Sequence, residues 1–67
     1  NERLTNREMD VIACIAKGFR NQDIAQALFV SEKTVKNHLT NIFRKLGVTD
    51  RTQALIYVLK HNIMELD

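Results

Sequence analysis

Between Ser31 and Gly47 the large aliphatic residues fall at Val35, Leu39, Ile42 and Leu46. This is i, i+4, i+7, i+11 spacing, and at about 100° per residue the four form one narrow stripe. Ser31 can cap the start and Gly47 can stop the end, so the segment predicts a helix running to about Leu46 with one face given to a core. Lys33, Lys36, Asn37, Thr40 and Arg44 fall on the opposite side, and Thr34, His38, Asn41 and Lys45 line one flank. A helix shaped only by solubility usually mixes Glu with Lys for i,i+4 pairing. Here the sole acid is Glu32, in the first turn.

Similar punctuation divides the rest of the chain. Thr5-Asn6-Arg7-Glu8 reads as a capping box behind Leu4 and predicts a first helix from about Asn6 to Lys17, ended by Gly18. Its inward residues are Val11, Ile12, Ile15 and Ala16, with Cys14 at the edge beside Arg7, Asp10 and Lys17. Asn21 is the expected N-cap of a second helix, about Gln22 to Leu28, burying Ile24, Ala25 and Leu28. Asp50-Arg51-Thr52-Gln53 begins a fourth helix reaching about His61, which would complement the helix dipole. Asp50 is expected to cap and Arg51 to pair with an acid of the first helix such as Glu8. Ala54, Leu55 and Val58 form an inner face of the fourth helix, while Thr52, Ile56, Leu59 and Ile63 make a second stripe. One core does not need both stripes.

A chain of 67 residues without Pro and with two Gly fits a single all-α domain, a four-helix bundle containing a helix-turn-helix. One cysteine excludes an internal disulfide and fits a reducing, cytoplasmic setting. No apolar run approaches the roughly 18 residues of a membrane span, and no signal peptide is visible. The chain begins at Asn1, and the expectation is a domain from a longer protein. Six basic residues lie between Lys17 and Lys45 against Asp23 and Glu32, a local excess of four positive charges in a chain of net +2. Such a concentration suits a polyanion. Neither a metal-ligand set nor a Gly-rich phosphate loop nor a nucleophile motif is present, so no cofactor, metal or catalytic residue is expected.

Taken in order, LTNRE, KGFRNQDIA, VSEKTVKNH and KLGVTDRTQA resemble the LuxR-type helix-turn-helix domain, the output domain of NarL/FixJ-type response regulators. The resemblance covers residues 4–54. It implies that the third helix enters the major groove of double-stranded DNA and that Lys33, Lys36, Asn37 and Thr40 approach the bases. Some members place an apolar residue where Asn37 stands and a Lys where Thr40 stands. Lys can donate to guanine O6 and N7, Asn can bond adenine bidentately, and Thr can offer a hydroxyl or meet a thymine methyl. The phosphate contacts implied are Asn21, Gln22, Ser31, Thr34, Arg44 and Lys45, and His38 stands between a phosphate donor or metal ligand and a flank histidine bonding the backbone.

The family also dimerises through its fourth helix, which assigns Thr52, Ile56, Leu59 and Ile63 to a homodimer seam strengthened on an inverted-repeat operator. The expected function is sequence-specific DNA binding by a bacterial transcription regulator, with control by phosphorylation of an absent receiver domain and RNA polymerase as a further partner. No membrane contact is expected. Two other readings stand beside it: a helical protein-interaction module docking an acidic partner, and a sigma-factor-like helix-turn-helix.

Overall fold

The computed structural model describes residues 3–61 and residue 63. They form four helices, α1 (Asn6–Ala16), α2 (Asn21–Leu28), α3 (Glu32–Leu46) and α4 (Arg51–Lys60), with no strand among the described residues. The fold is the expected all-α one.

Local chemistry sets most of the boundaries. At α1 the Glu8 N–H donates to Thr5 Oγ1 at 3.1 Å and the Thr5 N–H to Glu8 Oε1 at 2.9 Å, the complete reciprocal box. Ser31 Oγ accepts from the Thr34 N–H at 3.1 Å and Asp50 Oδ1 from the Gln53 N–H at 2.8 Å. The Gln53 side chain does not return to Asp50; its Oε1 accepts from the N–H and hydroxyl of Thr49 at 3.1 and 3.2 Å. The expected cap of α2 is displaced by one residue. Arg20 is the N-cap, its N–H donating to Asp23 Oδ2 at 3.0 Å, and Asn21 is the first helical residue. The carboxylate three positions on is the stronger acceptor, and the Asn21 side chain is engaged elsewhere.

Three helices end on left-handed residues. Gly18 and Gly47 take φ of +84° and +70°, as the sequence suggests. The third is Phe29, with φ of +59° and 94% of its surface exposed. It closes α2 through a bond from the Val30 N–H to Ala25 O at 3.0 Å.

The core gathers Val11, Ile12, Ile24, Val35, Ile42 and Val58, all fully buried, around α3, which touches each other helix. Leu39 and Ala54 are also buried, whereas Ala16, Leu28, Leu46 and Leu55 are half-buried. Cys14 lies in this core rather than at the helix edge. Burial pushes its thiol pKa up, with a smaller push from Asp10 against the opposing pull of Lys17, so its reactive thiolate is disfavoured.

Among the described residues, an ion pair joins α3 to α1 across the bundle. Lys45 Nζ donates to Glu8 Oε1 at 2.8 Å and to Arg3 O at 3.3 Å, with side chains only 9% and 5% exposed for Lys45 and Glu8. Glu8 therefore takes Lys45 as its partner rather than Arg51. Burial pushes the Glu8 carboxyl up, but the Lys45 and Thr5 hydrogen bonds outweigh it and hold the pKa below the usual range. Arg51 instead donates to Phe19 O at 3.4 Å and, through its other terminal nitrogen, to Asn21 Oδ1.

Candidate nucleic-acid interface

Only Phe29, Val30 and Ser31 separate α2 from α3. Val30 packs against the core from inside this turn, which fixes the angle between the two helices. Burial of Val35, Leu39 and Ile42 then sets the rotation of α3 about its own axis. With those three inward, Lys33, Lys36, Asn37, Thr40, Asn41 and Arg44 are exposed, and Thr34 and His38 are half-buried. The expected face is thus a continuous outer surface of one four-turn helix.

Hydrogen bonds within this surface determine what it can offer. Thr40 Oγ1 donates to Lys36 O at 3.0 Å, so its hydroxyl hydrogen is used and the hydroxyl can offer this exposed position only its lone pairs. Ser31 Oγ donates to Thr34 Oγ1 at 3.0 Å, which leaves the Thr34 hydroxyl hydrogen available at the helix start. Lys33 and Lys36 present ammonium groups, and Asn37 presents an amide. Gln22 is exposed at the start of α2 and Asn21 is half-buried beside it. The first N–H groups of α2 and α3 lack intrahelical acceptors, so both helix starts carry partial positive charge.

Lys45 stands apart from the residues grouped with it by sequence. Its ammonium is turned into the bundle against Glu8, because a buried carboxylate needs a cation more than a solvent-facing flank does. The 37 residues separating the two hid that pairing. Arg51, expected to pair with Glu8, is held instead by Phe19 O and Asn21 Oδ1, and the left-handed turn at Phe29 is the feature that sequence reading passed over.

On α4, Thr52 and Ile56 are exposed and Leu59 is half-buried, while Ile63, the last residue of the expected stripe, lies beyond the end of the helix and is exposed, with 50% and 39% exposure at Ile56 and Ile63. The stripe therefore lies largely outside the monomer core. His61 ends α4 and stacks on Tyr57, ring centroids 4.1 Å apart. Among the described residues no cluster of three or more His, Cys, Asp or Glu could hold a metal, and no helix is long and apolar enough to cross a membrane.

Residues 2–58 match the luxR family of bacterial regulatory proteins. The chain is 53% identical over 64 residues to the response regulator protein VraR of Staphylococcus aureus (strain Mu3), covering 96% of this chain and 31% of that protein. VraR of Staphylococcus epidermidis (strain RP62A) gives the same identity and coverage. The chain thus spans under a third of the length of these curated relatives. The response regulator ChrA of a heme-sensing two-component system superposes with a TM-score of 0.91 at 36% identity, over 96% of this chain and 32% of that one. The transcription factor GerE superposes with a TM-score of 0.90 at 37% identity, over the whole of both chains. The chain belongs to the luxR family of bacterial regulatory proteins, and its four helices form a LuxR-type DNA-binding helix-turn-helix domain.

Proposed function

We propose that the domain is the output end of a cytoplasmic two-component response regulator and that it reads operator DNA by laying α3 in the major groove. The observation that carries this reading is the outer face of α3: Lys33, Lys36, Asn37 and Thr40 are all exposed, and Glu32 is the only acid on the helix. The groove is wide enough for a helix, and these side chains supply the donors and acceptors that base edges match. In this reading Asn21, Gln22, Ser31, Thr34 and Arg44 hold phosphates from both sides of the groove. Lys45 is left out because Glu8 already holds it.

The outer side of α4 at Thr52, Ile56 and Leu59, with Ile63 just past its end, is the homodimer seam. Phosphorylation of a receiver domain elsewhere in the full-length regulator controls access to that seam, and RNA polymerase is the downstream partner. Domain output of this kind needs no catalysis, no cofactor and no metal.

Lys36→Ala and Asn37→Ala test the reading face. Both residues lie opposite the core, so each variant keeps its fold and loses about 1–3 kcal/mol of operator affinity relative to random DNA. Gel-shift titrations on a selected operator measure this. Unchanged operator affinity in both variants would exclude this face as the reader.

A further inference from the structure

Arg51 opens α4, yet its guanidinium reaches back to the start of α2, a connection across 30 residues of sequence. It donates to Phe19 O at 3.4 Å and to Asn21 Oδ1, a two-point hold on the residues that lead into α2. A guanidinium has donors only, so the amide of Asn21 must turn its oxygen toward Arg51. The amide nitrogen is thereby committed to the other side. It meets no acceptor among the described residues, and no buried side-chain nitrogen or oxygen there lacks a partner, so Nδ2 is open to solvent. Without Arg51 the amide could flip and present its oxygen, which repels a phosphate.

We propose that Arg51 is a positioning residue for DNA binding: by holding Asn21 Oδ1 it fixes the amide so that Nδ2 and the first backbone N–H groups of α2 converge on one DNA phosphate. This rests on the DNA-binding reading above. Arg51 does so without touching DNA itself. It also ties the α2 phosphate contact to α4, because Thr52 of the proposed dimer seam is the next residue.

The test uses this 67-residue chain and a short random-sequence duplex, since a phosphate contact is indifferent to sequence. Affinities are measured for wild type, Arg51→Lys, Asn21→Ala and the double variant, each checked for folding by its thermal melt. Arg51→Lys keeps the charge but not the two-point hold. It should weaken binding roughly threefold to tenfold, the effect of one lost hydrogen bond, and have no further effect in the Asn21→Ala background. A second readout needs no substitution: the Asn21 side-chain amide signals in the nitrogen-15 NMR spectrum should shift when the duplex is added. Equal weakening by Arg51→Lys in both backgrounds, unchanged affinity, or Asn21 amide signals that stay still on DNA would each overturn the proposal. If wild type shows no salt-sensitive binding to the duplex, the DNA reading itself fails, and the two failures are thereby told apart.

Discussion

Phe29 holds a backbone conformation that favours glycine, and its ring gains almost nothing from burial in return, being 94% exposed at φ +59°. A left-handed non-glycine residue costs about 1 kcal/mol or more. Phe29→Gly should therefore raise stability and move the melting temperature of a domain this small up by several degrees, about 4–8 °C per kcal/mol. A lower melting temperature would mean that the ring makes a stabilising contact in solution. The Glu8–Lys45 pair makes the opposite kind of residue-scale claim. Lys45→Ala leaves a carboxylate buried without its cation and should cost about 3 kcal/mol, a large share of what holds a small domain together. Urea unfolding measures it, and a change confined to DNA affinity would contradict the pairing. The pH dependence has a definite sign. The folded pKa of Glu8 lies below its ordinary 4.5, so the pair's contribution is fully present above about that pH and is lost as pH falls through the lowered value. Glu8→Gln should flatten that acid limb of the stability profile.

At the scale of the element, α3 and α4 each carry two faces, one buried in the core and one turned outward. The inner stripe of α3 is Val35, Leu39 and Ile42, and the outer face carries Lys33, Lys36, Asn37 and Thr40, all exposed. On α4, Ala54 and Val58 are fully buried while Ile56 is half in solvent. Ile56→Glu should accordingly keep helicity and melting temperature while abolishing cooperative occupation of two half-sites. Circular dichroism and footprinting separate the outcomes: an unfolded variant assigns Ile56 to the core, and a folded, cooperative one removes α4 from the dimer contact. These faces were legible in the sequence because helical periodicity is local, and so were the Thr5, Ser31 and Asp50 caps and the two glycine stops. Each depends on residues within a turn or two. The cap of α2 was misread by one residue because Asn21 and Asp23 compete there, and the competition is decided by Arg51 from a distant part of the chain. The Glu8–Lys45 pair was hidden for the same reason, since no local pattern distinguishes a lysine turned inward from one turned out. For Phe29, the αL requirement of a three-residue turn was the available signal, masked by a residue type that rarely meets it.

For the whole molecule, a twofold relation through α4 would place two copies of α3 on one side of the dimer, facing successive major grooves. The matching operator is an inverted repeat with half-site centres about one helical turn, or 10 bp, apart. A seam of three apolar residues and one Thr is small, so dimers should be weak in free solution and clear on DNA. Footprinting on selected sites checks the spacing; binding to direct repeats with equal cooperativity would rule out the twofold arrangement. All of this depends on the outer face of α3 being a DNA-facing surface, and a salt titration on random duplex addresses that most directly. Random duplex offers no matched bases to read, so Lys33, Lys36 and Arg44 each pair with a phosphate there, and log affinity per domain should fall linearly with log salt at a slope of about −2.7, or −0.9 per contact. Lys33→Ala should make that slope shallower by about one unit. A flat response, or a slope that Lys33→Ala leaves unchanged, would contradict the assignment of this face to DNA.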